Sequence, residues 1–181
     1  TRQDITAQKA YEAERDHRAN YDPLTGLPNR RLLDTRLKQA IVRAQRDGRL
    51  LALLFLDLDN FQEINDTLGH DAGDEVIRSV GRRIAETVRD VDTVARIAGD
   101  EYVVLLDGPA SVEHVNTIVH RLLDRMNAAL SVRGSELYLG CSIGIALFPR
   151  DGGSAEVLLQ NADAAMYRAK QIDKGGFRYY T

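Results

Sequence analysis

The spacing of apolar residues changes several times along the chain, and each change predicts an element. From Asn29 to Arg46, Leu32, Leu33, Leu37, Ala40, Ile41 and Ala44 recur at helical spacing, and Gly48 is placed to end that helix. The run RLLALLFLDLD at 49–59 is almost continuously apolar, as a central strand buried on both faces requires. FQEINDTLG reads as a short helix and HDAGDEVIRSVGRRIAETVRD as a longer one with an inner stripe of Val76, Ile77, Val80, Ile84 and Val88. Two strands follow at 93–98 and 101–106, then a helix at 111–130, a long strand at 136–149 and a helix over SAEVLLQNADAAMYRAKQID with Leu158, Leu159, Ala162, Ala165 and Met166 inward. A short FRYY strand closes the chain.

Residues 1–20 differ from all of this. They are charged and Ala-rich, with Ile5 and Tyr11 their only large apolar residues, so they form a helical connector that cannot anchor itself. A frayed terminal helix and a coiled-coil lead from an upstream module both fit. YDPLTGLPNR, with Pro23, Gly26 and Pro28, then marks the start of the folded domain, 21–181. The order β-α-α-β-β-α-β-α-β sets crossover helices against one sheet. That suits an α+β, ferredoxin-like sandwich with a central, mainly antiparallel sheet flanked by helices better than a doubly wound sheet.

Composition narrows the function. The chain has 181 residues, 44% of them hydrophobic, enough for one buried core. Its 24 basic and 27 acidic residues give a charge of −3, which offers no electrostatic case for wrapping nucleic acid but leaves a mononucleotide open. The single cysteine, Cys141, excludes an internal disulfide framework and a multi-cysteine zinc site, and is expected to pack in the core. No apolar run approaches about 18 residues and no signal peptide pattern is present, so a soluble domain is expected.

The chemistry gathers at two breaks. Asp57 and Asp59 stand where the central apolar run abruptly becomes acidic, and Asp100 and Glu101 follow Gly99 between two strands. A Gly-Asp pair between strands is by itself a plain hairpin tip. If Asp57 and Asp100 meet, two carboxylates about 4 Å apart repel by roughly 4 kcal/mol at an effective dielectric of 20, which calls for a cation or a proton. With oxygen ligands and no neighbouring histidine or thiol, magnesium or manganese fits better than zinc. Asp59, which precedes FQEIN, reads equally as a helix cap.

FLDLDNFQEINDTLGHDAGD, followed by AGDEY and AAMYRAK and preceded by DPLTGLPNRR, resembles the GGDEF domain of diguanylate cyclases over residues 21–181. The resemblance implies a nucleotidyl-cyclase-like fold and the condensation of two GTP into cyclic di-GMP with release of pyrophosphate, each GTP held by one subunit of a homodimer. It implies metal binding by the Asp57 and Asp100 side chains and the Leu58 carbonyl, guanine recognition by Asn65 and Asp74 with His70 shaping the pocket, and proton removal assisted by Asp100 or Glu101. Lys170 resembles the family's triphosphate lysine, and Lys174 stands where an arginine is more usual. Arg89-Asp90-Val91-Asp92 has the Arg-x-x-Asp form of the family's product-inhibition site. A packed or capping histidine, solvated lysines, and an Arg89 that complements a helix C-terminus beside a loop-starting Asp92 are the plainer readings of the same residues.

Three further positions depart from the family pattern. Gln62 replaces a common lysine and loses its charge; Ala98 replaces the first glycine of the signature; Tyr102 replaces phenylalanine and brings a hydroxyl that needs a partner. Intact Asp57, Asp100 and Glu101 favour an enzyme. Gln62 favours a receptor for GTP or cyclic di-GMP that regulates a neighbouring domain, and the terminal GGFRYYT resembles GGDEF domains that continue into an EAL phosphodiesterase domain. An upstream sensor is expected. The nucleotide substrate and cysteine usage place this domain in the cytoplasm, with membrane anchoring of the parent protein open.

Overall fold

The computed structural model describes residues 1–181, and the apolar run at 49–59 lies at its centre. β1 (Leu51–Leu58) is the middle strand of a five-stranded sheet. It pairs antiparallel with β3 (Glu101–Asp107) on one side and β6 (Cys141–Phe148) on the other. β2 (Thr93–Ala98) pairs antiparallel with β3, and β7 (Phe177–Tyr179) adds in parallel to β6, giving the order β2-β3-β1-β6-β7. Without β7 this is the strand order of the β-α-β-β-α-β ferredoxin-like motif.

The period-two pleat divides β1 between two cores. Ala52, Leu54, Leu56 and Leu58 pack with α4 (His70–Thr87) and α5 (Val112–Asn127). Leu51, Leu53 and Phe55 pack with α2 (Arg30–Asp47) and α6 (Ala155–Ile172). Two helices therefore cover each face, which is why β1 carries no polar alternation until Asp57. α2 starts where the Asn29 side chain accepts the Leu32 N–H at 3.1 Å, and it ends at Gly48 with φ +65°. Cys141 lies wholly in the first core, and burial, then the Asp59 and Asp57 charges, push its thiol up to about 12, so it packs as an inert hydrophobe.

Three expected elements change. Residues 136–149 do not form one strand: β4 (Leu130–Val132) and β5 (Ser135–Leu137) make a separate hairpin through Arg133 and Gly134, both at positive φ. The break before β6 comes at Gly140, whose carbonyl accepts the Asp59 N–H at 2.8 Å and where a Cβ would stand 3.0 Å from Asp59 Oδ2. The helix expected at 111–130 stops at Asn127, because the next residues turn into β4. Val88 is only half-buried, being the residue that caps α4 in extended conformation. The short α3 (Phe61–Leu68) precedes α4, and α1 (Arg2–Asn20) buries no residue. No helix is long and apolar enough to cross a membrane.

Candidate functional site

The acids converge through register. Asp57 lies opposite Glu101 across the β1–β3 ladder, so both point to the α2/α6 face. Asp100 sits one residue earlier in the turn, and its carbonyl accepts the Leu58 N–H at 3.3 Å, which fastens the hairpin to the end of β1. The Asp100 and Asp57 carboxyls lie within hydrogen-bonding reach of each other. Asp100 is raised from 3.8 to about 7 by burial, then by the Asp57 charge and the hydrogen bond between the two. Asp57 Oδ1 is buried and finds no donor while Asp100 is ionised; a proton on Asp100 supplies one. Glu101 is also raised, by burial, then Asp57 and Asp163, against the pull of Arg30 and Lys170.

An orphaned carboxylate oxygen beside a second carboxyl and a backbone carbonyl fits a hard divalent cation. No three His, Cys, Asp or Glu side chains are placed together to hold a metal ion by themselves. A magnesium site can do without such a trio, because magnesium keeps several waters and takes the rest of its shell from one or two carboxylates and substrate phosphates. Lys170, from α6, reaches this same set: Nζ is 3.1 Å from Asp57 Oδ2, 3.3 Å from the Leu58 carbonyl and 3.8 Å from Asp59 Oδ1. Lys174 stands further out, its Nζ donating to Asn60 Oδ1 at 3.0 Å, with Asn60 in the left-handed conformation before α3.

Asp59 does not cap α3. Its carboxylate turns inward, is 4% exposed and accepts the Ser142 hydroxyl at 3.0 Å, while the capping position belongs to Asn60.

The residues expected at the guanine lie on the α3–α4 pair. Asn65 packs over Gly73, where a Cβ would collide with its Oδ1, and Asp74, the next residue along α4, is exposed. His70 is exposed in the first turn of α4. Gly73 was not singled out in the sequence, although a glycine inside a strongly periodic helix is a signal of close approach. Gln62 lies along α3 and donates to Asp66 Oδ1 at 3.0 Å.

The hairpin is held from a second direction that sequence reasoning also missed. Arg96 donates from Nε to the Gly99 carbonyl and pairs with Asp22, each at 3.0 Å, and Asp22 also accepts the Thr25 N–H and hydroxyl. The opening DPLT stretch thus braces the acid-bearing turn; a lone arginine in an apolar strand was the available signal. Replacing Arg96 by Leu is expected to cost about 1–3 kcal/mol in urea denaturation by leaving the half-buried Asp22 unpaired. Ala98 is exposed and a register shift lies beside it, so its methyl meets no close packing. The Tyr102 hydroxyl is satisfied, donating to the Ile77 carbonyl at 2.6 Å.

Arg89 and Asp92 meet, but mainly with each other. Asp92 accepts the Arg89 backbone N–H, the Arg89 guanidinium and the Asp107 N–H, and its side chain has no exposed surface. Asp92 therefore orients Arg89 and offers no free oxygen to a guanine edge here. Beside them a cavity of about 300 Å³ is lined by Arg36, Arg43 and Asp107. A larger cavity of about 1080 Å³ lies between α2 and α6 and is lined by Glu101 but by neither Asp57, Asp100, Asn65 nor Asp74.

Paired acids at the meeting of β1 with the β2–β3 hairpin, on a sheet of this order, define a nucleotidyl-cyclase-like domain. Residues 19–175 match the family described as diguanylate cyclase, GGDEF domain, and the chain belongs to that family. It is 44% identical over 162 residues to the bifunctional diguanylate cyclase/cyclic di-GMP phosphodiesterase MucR of Pseudomonas aeruginosa, a match covering 90% of this chain and 24% of that protein. The crystal structure of the GGDEF domain of YfiN or TpbB from Pseudomonas aeruginosa superimposes with a TM-score of 0.85 at 40% identity, covering 87% of this chain and 98% of that one. The coiled coil and GGDEF domain of DgcB from Caulobacter crescentus, in complex with c-di-GMP, superimposes with a TM-score of 0.82 at 26% identity, covering 97% and 93%. The chain spans less than a quarter of the length of the curated relatives it matches first, at 24%, 22% and 21%.

Proposed function

We propose that the chain condenses two GTP into cyclic di-GMP and pyrophosphate as a homodimer, each protomer holding one GTP. The observation that carries this is the pair of facing carboxyls, Asp57 and Asp100, beside the Leu58 carbonyl and Lys170. A bound Mg²⁺ or Mn²⁺ would be held by Asp57, Asp100 and the Leu58 carbonyl and would supply charge neutralisation at the triphosphate. Lys170 and Lys174 flank the phosphates as cations, and Asn65 and Asp74, with His70 beside them, hold the guanine. Asp100 or Glu101 accepts the proton of the 3′-hydroxyl. A cation held between the two acids favours their ionised, proton-accepting forms. The protein offers no covalent nucleophile, and phosphoryl transfer needs none, only in-line positioning and charge compensation.

Incubation of the chain with GTP and Mg²⁺ tests this directly: cyclic di-GMP and pyrophosphate should form in a 1:2 ratio. Failure to turn over while GTP binds, with dimerisation enforced, would support the second reading, a nucleotide receptor acting on a neighbouring domain. Gln62 favours that reading, since a neutral amide tied to Asp66 brings no charge to the phosphates. Gln62→Lys is expected to raise turnover about tenfold in the same assay, by restoring a cation where phosphate charge develops.

Feedback by cyclic di-GMP at Arg89 and Asp92 requires Arg89 to leave Asp92. The c-di-GMP complex of DgcB is consistent with a product site in this family. Residues 1–20 are read as a helical connector from an upstream sensor, and a solved EAL/GGDEF domain protein from M. capsulatus, 43% identical to this chain with a TM-score of 0.73, supports a downstream EAL domain in a longer parent protein. GTP as substrate makes the cytoplasm the working compartment.

A further inference from the structure

Lys170 stands on the oxygens that the proposed function assigns to a divalent ion. Its ammonium is 3.1 Å from Asp57 Oδ2 and donates to the Leu58 carbonyl at 3.3 Å. One cation already answers two of the three groups in that set, and a second on the same oxygens would repel it at contact distance. The lysine has an alternative partner. Asp59 Oδ1 lies 3.8 Å from the same nitrogen, its side chain is 4% exposed, and the Ser142 hydroxyl, at 3.0 Å, is its only hydrogen-bond donor. Ser142 Oγ in turn accepts the Gly175 N–H at 3.3 Å, so Asp59 is tied to β6 and to the turn after α6. A buried carboxylate with one neutral hydrogen-bond donor and an ammonium held off at 3.8 Å is under-compensated and favours closer approach of that cation.

We propose that Lys170 is an exchangeable occupant of the metal position, and that Asp59 is the positioning residue that receives it when a divalent ion takes Asp57 and the Leu58 carbonyl. This rests on the metal reading of Asp57 and Asp100 given above. Asp59 gains a direct hydrogen bond from the ammonium as Asp57 loses one, and the ammonium stays at the exit of β1, where the triphosphate is assigned. The second Asp of DLD then sets how readily the protein accepts its metal without being a ligand.

Mn²⁺ binding to the whole chain without nucleotide, read from the electron paramagnetic resonance of free Mn²⁺, tests the exchange independently of turnover. Lys170→Met, which removes the competing cation, should tighten binding about tenfold, and Asp59→Asn, which removes the alternative seat, should weaken it several-fold. The double variant should bind as Lys170→Met does, because with no lysine to receive Asp59 has nothing to do. An unchanged or weaker affinity in Lys170→Met, or a double variant weaker than Lys170→Met, overturns the proposal. If Asp57→Asn binds Mn²⁺ as the wild type does, the metal reading falls and this inference with it. Loss of binding in Asp57→Asn with no effect of Lys170→Met sinks the exchange alone. Should Asp59→Asn not fold, the ¹³Cε resonance of Lys170 in the wild type replaces it: it should move under Mg²⁺ titration and stay still in Asp57→Asn, and a resonance unmoved by Mg²⁺ in the wild type overturns the exchange.

Discussion

Asp100→Asn is expected to lower turnover of GTP about 10³-fold or more while leaving the metal-free fold as stable or more stable near neutral pH. In the proposed reaction the activity loss combines a lost metal ligand with a lost proton acceptor, each alone worth about two or more orders of magnitude. The stability gain has its own cause. Ionised Asp100 faces Asp57, with Lys170 the nearest compensating charge, and Glu101, Asp163 and Arg30 stand at the edge of the same cluster. Burial and Asp57 raise Asp100 in the folded chain from 3.8 to about 7. The folded state thus holds a proton that the unfolded chain has already released. The stability this proton contributes is whole below about pH 4 and is lost as pH rises through about 7. Glu101 and Asp163 are raised as well and act in the same direction. Thermal melts of metal-free wild type should fall from pH 5 to pH 8, and Asp100→Asn should flatten that fall. Magnesium should raise the melting temperature more at pH 8 than at pH 5, because its ligands must be deprotonated. A wild-type melt that falls no more steeply from pH 5 to pH 8 than the variant's would contradict a proton held on Asp100.

Gly144→Ala is expected to be the most damaging small substitution in the domain, costing about 3 kcal/mol or more. A Cβ on Gly144 would collide with the Met166 amide nitrogen and the Ala162 carbonyl oxygen and stand 2.7 Å from Met166 Cα, all of them atoms of the α6 backbone. No rotamer change relieves such a contact, so α6 itself must move off β6. That movement carries Lys170 and Lys174 away from the end of β1, and turnover falls along with stability. Gly153→Ala, where an added Cβ meets nothing within 4 Å, is the control and should stay within about 0.5 kcal/mol. Urea midpoints at unchanged m-value measure both. A Gly144→Ala midpoint equal to that of the control would refute the close approach of α6.

Much of this architecture could be read along the chain. The stripes of α2, α4 and α6 fall where periodicity put them, and the continuous apolar run of β1 signalled burial on both faces. Local patterns erred where a local rule had a tertiary competitor. The stretch 136–149 reads as one strand, but Gly140 has to pass beside Asp59 and breaks it. Asp59 reads as a cap by position, yet its carboxylate is claimed by Ser142, 83 residues away. Arg89 and Asp92 have ligand-site spacing, and only the fold showed the carboxylate sealed against Asp107.

By itself the sequence determined most of the helices and strands, the candidate residues and the family, because periodicity and short motifs are written within a few turns of chain. Only the tertiary structure decided how charges are shared: that burial and the Asp57 charge hold a proton on Asp100, that Lys170 lies on both Asp57 and the Leu58 carbonyl, and that Asp22 braces the acid-bearing turn through Arg96. Those couplings join residues 43 to 113 positions apart, and Coulomb and hydrogen-bond energies depend on distances through space that no local pattern encodes.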